Sequence, residues 1–157
     1  MRTHLEDYIY SLYKSIDITN PAELDISLIA KEIGVEIVYK ENAFRFDNEI
    51  VLVRGTKREE WIQFGHEVCH YLRHSGNQLN MNPLFMRLQE WQAESFMYHF
   101  CIPSFMLHEL DLPSDRNIAI WEIQKSFNVS REFAELRLEK FMQQKESRIV
   151  FSRAIGF

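Results

Sequence analysis

The chain has 157 residues, of which 46% are hydrophobic, and it contains few glycines or prolines and carries a formal net charge of −5. This length and composition suit a single domain over residues 1–157, large enough to bury a core, and exclude a long unstructured linker. The negative charge excludes a general electrostatic attraction to nucleic acid or to an anionic membrane, so we expect neither as a partner.

No sign of export or membrane insertion is visible in the sequence. No apolar run approaches the roughly 20 residues that span a bilayer, and residues 1–7 lack the apolar core of a signal peptide. We therefore expect a cytoplasmic protein. Cys69 and Cys101 are too few for a disulfide framework, so we expect reduced thiols, with Cys69 packing as a small side chain and not binding metal.

The first predicted element is a helix over about residues 3–15. A second, short helix from Ser27 to Ile33 ends at Gly34, because glycine readily adopts the backbone conformation that terminates a helix. The run from Val35 to Tyr39 that follows is typical of a strand.

Two further short strands are predicted after the first. One contains Phe44 and Phe46, and the other runs from Glu49 to Val53. We expect the three strands to form a small antiparallel sheet.

The next predicted helix runs from about Lys57 to His74. Thr56, followed three residues later by Glu59, is typical of a capping box, and apolar residues recur after it at helical spacing. Gly76 and Asn77 then supply the stop.

The dipeptide Asn82-Pro83 predicts the start of another helix, because asparagine caps helices and proline is tolerated at the first helical position. This helix extends to about Cys101 and is closed by Pro103. Ser114 and Ser130 are the predicted caps of two further helices.

The predicted elements describe a mostly helical α+β domain with a small antiparallel sheet. Residues 142–157 are interpreted as a docking tail, in which the apolar run from 148 to 157 suits a docking edge or a strand. The apolar residues expected to seat the Asn82-Pro83 helix against the core are Phe85, Leu88, Trp91, Phe96 and Phe100.

The run His66-Glu67-Val68-Cys69-His70 is the most informative motif. Residues four apart on a helix lie one turn apart on the same side, so both imidazoles can bind a single metal ion. Glu67 can then deprotonate a water at that ion, which is the minimum equipment for metal-assisted hydrolysis. The alternative is a pair of surface histidines beside a solvated glutamate.

A catalytic zinc usually takes three protein ligands, so one more donor is needed. Gly76 occupies the position six residues after His70 and excludes an arrangement of three histidines. Glu90 and Glu94 lie one helical turn apart, and such a pair can divide into a metal ligand and an acceptor for the outer N–H of a ligand histidine. Two solvated surface glutamates are the alternative.

Several segments of this chain carry a resemblance to the ImmA/IrrE metallopeptidases, over roughly residues 29 to 141. The matching segments at the site are His66-Glu67-Val68-Cys69-His70-Tyr71-Leu72-Arg73-His74, Glu90-Trp91-Gln92-Ala93-Glu94-Ser95-Phe96 and Ile102-Pro103. Outside it the matching segments are Ile29-Ala30-Lys31-Glu32-Ile33-Gly34-Val35, Phe127-Asn128-Val129-Ser130 and Arg137-Leu138.

The resemblance implies a zincin-like metallopeptidase domain in which His66, His70 and Glu90 bind Zn²⁺ and Glu67 is the catalytic carboxylate. Mn²⁺ or another divalent ion suits the same donors. The chain resembles in particular the ImmA branch, short cytoplasmic proteases of mobile genetic elements. The implied partner is therefore a protein substrate, a helix-turn-helix repressor of a phage or integrative element, whose cleavage releases the element's genes.

The chain departs from the family pattern at two positions. The family commonly has glycine where this chain has Cys69, and asparagine, aspartate or serine where it has Glu94.

His74 lies on the metal face of its helix but about 12 Å along the axis from His66, which predicts a structural role and not ligation. The candidates for stabilising the oxyanion formed during peptide hydrolysis are Tyr71, Tyr98, His99 and His108.

Two other functions stay open on the sequence. The first is a regulatory protein that keeps the metal site but binds the repressor without hydrolysing it. The second is a DNA-binding module that uses residues 118–138 as a helix-turn-helix. Charge argues against the second, because residues 115–145 contain six basic and five acidic side chains and form no basic stripe.

Overall fold

The computed structural model describes residues 2–40, 45–46, 48–74 and 81–154. The strands are β1 (Glu36–Tyr39), β2 (Arg45–Phe46) and β3 (Glu49–Leu52). The α-helices are α1 (His4–Ser15), α2 (Ile26–Ile33), α3 (Lys57–Arg73), α4 (Pro83–Cys101), α5 (Ser104–Glu109), α6 (Arg116–Phe127) and α7 (Arg131–Ala154). The mostly helical α+β class is thus confirmed. None of the described helices is both long and apolar enough to cross a membrane.

The sheet is mixed, so the prediction of an antiparallel sheet is wrong for one of its two pairs. Its strand order is β1-β3-β2, with β1 parallel to β3 and β2 antiparallel to β3. The chain reverses direction at each connection, so the first and third strands run the same way. Because β1 pairs with β3 and not with β2, that pair is parallel. Phe44, part of the predicted second strand, lies outside the described residues.

The central strand β3 seats α3 on the sheet. Ile50, Val51 and Leu52 are completely buried. Just beyond the strand, the backbone N–H of Val53 donates to Gln63 Oε1 at 2.9 Å, and Gln63 Nε2 donates to the carbonyl of Val53 at 3.2 Å. This two-way bond fixes the first half of α3 against the end of the sheet.

The helix α4 packs against α3 through a face different from the predicted one. Phe96 and Phe100 are buried as expected, but Phe85, Leu88 and Trp91 are 52%, 45% and 66% exposed. The buried stripe instead runs through Gln89, Ala93, Phe96 and Phe100 at helical spacing. Ala93 is completely buried in this stripe, whereas the earlier aromatic and leucine residues face solvent.

The helix boundaries follow local capping signals in most places. Ser130 caps α7 as predicted, with its Oγ accepting from the backbone N–H of Phe133 at 3.2 Å. Ser114 does not cap α6, because the side chain of Asp115 does so. The six-residue α5 was not predicted, since so short a helix shows no periodicity. Gly76 and Asn77, the predicted stop of α3, lie outside the described residues.

The end of the chain continues α7 to Ala154, so residues 148–154 are helical and the strand interpretation is wrong over that range. A buried polar network fastens this long helix to α1. Glu6 Oε1 accepts from Ser104 Oγ at 2.7 Å, and Glu6 Oε2 accepts from Arg148 Nη2 at 2.9 Å. The completely buried Arg137 donates to Ser104 Oγ at 2.7 Å. The network joins α1, α5 and α7 around one carboxylate.

Candidate metal centre

The helix that carries the histidine motif begins at the predicted cap. Thr56 Oγ1 accepts from the backbone N–H of Glu59 at 3.2 Å, and Glu59 Oε2 accepts from that of Thr56 at 2.7 Å. Trp61, Phe64 and Val68 face the core from this helix. With that face buried, the side chains of His66 and His70 are turned towards α4.

The helices α3 and α4 approach each other closely, which brings Glu90 on α4 near the histidines on α3. A Cβ atom at Gly65 would lie 2.7 Å from Cys101 Sγ and 3.2 Å from Phe100 Cδ1. A methyl group there would require the Cys101 side chain or α4 itself to shift. Gly65 directly precedes His66, so a close contact between the two helices lies beside the motif.

The three predicted metal ligands meet at one point. Glu90 Oε2 lies 3.1 Å from His66 Nε2, and Glu90 Oε1 lies 3.2 Å from His70 Nε2. The two histidine Nε2 atoms are themselves 3.2 Å apart. All three ligand groups can present their donor atoms within 4.8 Å of one another. The helices α3 and α4 thus contribute two nitrogen donors and one carboxylate to a single point.

These distances fit a zinc ion. Zn–N and Zn–O bonds of 2.0–2.2 Å place the ligands of a tetrahedral ion about 3.3 Å apart, close to the observed separations. Imidazole nitrogen and carboxylate oxygen are both ordinary zinc donors. The side chain of His70 is 8% exposed whereas that of Glu90 is 48% exposed, so the site is buried on one side and open to solvent on the other. A three-ligand site with an open side matches the pattern of catalytic zinc.

Glu67, the predicted catalytic carboxylate, directly follows His66 on α3 and is half-buried. It does not belong to the group of three ligand atoms. Its role as the catalytic carboxylate stays a prediction.

The outer nitrogen of His70 lies beside another histidine. His70 Nδ1 is 3.0 Å from His74 Nδ1, and His74 Nε2 is 3.0 Å from Gln92 Oε1. His74 caps the C-terminal end of α3 and is outside the ligand group, in agreement with a structural role. Glu94, predicted to accept from a ligand histidine, is exposed on α4. That role of Glu94 stays a prediction.

Both cysteines are free and completely buried. Burial raises the pKa of the Cys69 thiol to about 12 and that of Cys101 well above its ordinary value. Cys69 also lies outside the ligand group. It packs in the core as the sequence predicted.

Tyr98 and His99 lie away from the metal ligands. They follow Glu90 by about 12 to 13 Å along the axis of α4. Tyr98 stacks on Phe133 with ring centroids 4.4 Å apart, and His99 Nδ1 lies 2.9 Å from the carbonyl of Ser95. Burial, together with the charge of Arg137, lowers the pKa of His99 to about 4, so it is neutral at pH 7.

The other two oxyanion candidates differ in position. His108, on α5, contacts Phe141 edge-to-face with centroids 4.7 Å apart, and burial lowers its pKa. Tyr71 directly follows His70 on α3 and is half-buried. Of the four candidates, Tyr71 is therefore the one adjacent to a ligand in the chain, and its role as an oxyanion stabiliser stays a prediction.

The segment considered for DNA binding packs into the domain. Arg116 forms an ion pair with Glu135 at 3.3 Å, and Arg131 donates to Asn117 at 2.7 Å. Arg137 is completely buried. Lys125 forms an ion pair with Glu122 at 3.6 Å, so most basic side chains of residues 115–145 are engaged within the protein. The helices α6 and α7 also pack against each other.

Sequence reasoning did not identify two features of the site. The contact between His74 and Gln92 joins residues 18 apart, and its only sequence signal is the place of His74 one turn after His70. The requirement for glycine at position 65 depends on Cys101 and Phe100, which belong to another helix. Neither relation can be read from local spacing.

Comparison with known proteins identifies relatives of this chain and its family. The chain is 39% identical to the phage-like element PBSX protein XkdA of Bacillus subtilis, over 99% of this chain and 81% of that protein. It is 34% identical to the uncharacterized protein YqaB of the same organism, over 98% of this chain and 92% of YqaB. No solved structure matches. The model of Peptidase M78, the IrrE N-terminal-like domain, matches residues 22–139, and the chain belongs to this peptidase family.

Proposed function

We propose that this protein is a zinc-dependent endopeptidase whose metal ligands are His66, His70 and Glu90. The observation that carries the proposal is the convergence of two imidazole nitrogens and one carboxylate at 3.1–3.2 Å, on two helices held together beside Gly65. Membership of the Peptidase M78 family supports hydrolysis of peptide bonds.

Each group has a separate task. A bound Zn²⁺ supplies Lewis acidity for the peptide carbonyl and lowers the pKa of water to about 7. The carboxylate of Glu67 accepts the proton of the attacking water and carries it to the leaving amine. Tyr71 is the candidate donor to the developing oxyanion. The Glu90 side chain is 48% exposed, so solvent reaches the proposed site from that side.

The proposed substrate is a helix-turn-helix repressor of a phage or integrative element, cleaved in the cytoplasm. The resemblance to ImmA-like proteases supports this substrate. So does similarity to XkdA, a protein of the phage-like element PBSX, over nearly the whole chain. Cleavage would remove the repressor and release the genes that it controls.

The decisive experiment mixes the purified protein with a candidate helix-turn-helix repressor of the same phage or integrative element. Reactions contain Zn²⁺ or Mn²⁺, with or without a chelator, and the products are identified by mass spectrometry. We expect cleavage at one site, lost with chelator and restored by excess metal. An uncut repressor under every metal condition would contradict the proposal. Metal-independent relief of repression that Glu67→Gln leaves intact would instead support the non-hydrolytic function.

A further inference from the structure

A line of polar contacts continues from the metal ligands into the space between α3 and α4. His70 Nδ1 lies 3.0 Å from His74 Nδ1, and the two rings are 5.0 Å apart at an angle of 59°. The other nitrogen of His74, Nε2, lies 3.0 Å from Gln92 Oε1. One histidine and one amide therefore stand directly behind a proposed ligand.

Metal ligation dictates where the protons of this line must lie. His70 can bind an ion through Nε2 only if its ring proton is on Nδ1. That N–H then donates to His74 Nδ1, which must be an unprotonated acceptor. The proton of His74 is consequently on Nε2, where it needs an acceptor, and Gln92 Oε1 is at hydrogen-bond distance. Every donor thus has an acceptor.

The opposite orientation of the Gln92 amide would be incompatible with metal binding by His70. If the amide of Gln92 presented its NH₂ group, His74 Nε2 would accept and its proton would move to Nδ1. His70 Nδ1 would then have to accept, which leaves its proton on Nε2, the atom that faces Glu90. That nitrogen would have no lone pair for a metal. The orientation of the Gln92 amide is therefore coupled through His74 to the tautomer of His70.

We propose that His74 and Gln92 are positioning residues that hold His70 in its metal-binding tautomer. The inference rests on the proposed function, because it takes His70 as a ligand. It also assigns to His74, and not to the exposed Glu94, the bond with the outer nitrogen of His70. Partners of this kind usually change metal affinity 10- to 100-fold when they are removed.

The test measures the dissociation constant for Zn²⁺ by competition with a chromophoric chelator, using the full chain. His74→Phe keeps a planar ring but removes both nitrogens, and Gln92→Leu removes the acceptor. We expect each to weaken zinc binding, His74→Phe by about 10- to 100-fold. His74→Gln, whose amide oxygen can accept from His70, should recover part of the loss. Glu94→Gln tests the other candidate partner.

The possible outcomes distinguish a failure of this inference from a failure of the proposed function. Thermal unfolding of each metal-free variant shows whether a lower affinity merely reflects a damaged fold. Zinc affinity unchanged in both His74→Phe and Gln92→Leu would overturn the inference while the proposed function stands. A loss in Glu94→Gln with none in His74→Phe would also overturn it. If the wild-type protein bound no zinc, the proposed function would fail and the inference with it.

Discussion

We propose distinct tasks for the two glutamates, Glu90 as a metal ligand and Glu67 as the base. Glu90 touches both imidazoles at 3.1–3.2 Å, whereas Glu67 lies outside the ligand group. Substitutions at the two positions should therefore differ in their effect on metal content. This difference separates ligation from proton transfer.

Glu67→Gln should abolish cleavage while leaving zinc content unchanged. The amide cannot accept the proton of the attacking water, and losing such a base slows reactions by about 10²- to 10⁴-fold. Single-turnover cleavage and metal analysis of the same sample provide the measurement. Full activity in this variant would contradict the role of Glu67.

Glu90→Ala should lower zinc affinity and cleavage together, because it removes one of three donors. The chelator competition assay measures the first effect, and repressor cleavage at saturating zinc measures the second. Glu146 is an exposed glutamate on α7, so Glu146→Ala serves as the matched control. Unchanged zinc affinity in Glu90→Ala would show that the third ligand has been misassigned.

At the scale of elements, the separation of α3 and α4 sets the geometry of the metal site. Gly65→Ala would place a methyl group 2.7 Å from Cys101 Sγ, so the Cys101 side chain or α4 itself must shift. We expect a loss of about 1–3 kcal/mol in the free energy of unfolding. A shift of α4 would also weaken zinc binding, because Glu90 lies on that helix.

The double variant Gly65→Ala/Cys101→Ala provides the control for this prediction. Removing the sulfur creates room for the new methyl group. The double variant should therefore lose less free energy of unfolding than the two single variants lose together. Chemical denaturation of the four proteins in this cycle measures the coupling. Simple additivity would show that the contact between residues 65 and 101 does not limit the helix approach.

Signals that act over a few residues allowed much of this fold to be predicted. Thr56, Asn82 and Ser130 each cap a helix through a side chain whose partner lies two or three residues away. The spacing of His66 and His70 likewise fixes their common face. Parallel pairing of β1 with β3 is a nonlocal property, because an alternating strand pattern does not reveal its neighbour.

The residues of the candidate site likewise include some that the sequence predicts and others that it does not. The sequence and the family resemblance predict Glu90 as a ligand, and the structure places it against both histidines. Gln92 could not be identified, because its part depends on how α4 is rotated against α3. The exposure of Trp91 has the same origin. Rotation of a helix about its axis is decided by packing that lies far away in sequence.

At the scale of the whole molecule, one buried carboxylate links the two ends of the chain. Burial of Glu6 opposes ionisation, but hydrogen bonds from Ser104 and Thr3 and the charge of Arg148 lower its pKa from 4.5 to about 2. A carboxyl whose pKa falls on folding stabilises the protein above its unfolded pKa. That contribution is lost as the pH falls from about 4.5 to about 2.

We therefore expect acid to weaken the fold through Glu6 over that interval. The contribution at neutral pH is on the order of 3 kcal/mol, since each pKa unit corresponds to about 1.4 kcal/mol. Thermal melts of wild type and Glu6→Gln at pH 7, 4.5 and 3 measure it. The stability difference between the two proteins should shrink as the pH is lowered, and a constant difference would contradict this account.

Because both thiols are buried, we expect the folded protein to react slowly with oxidants. A thiol must ionise and be reached by solvent to be alkylated or oxidised quickly, and Cys69 and Cys101 do neither at neutral pH. The folded protein should gain no mass from iodoacetamide, whereas the denatured chain should gain two adducts. A centre built from imidazole and carboxylate should therefore keep working in an oxidising cell that disables thiol-dependent enzymes.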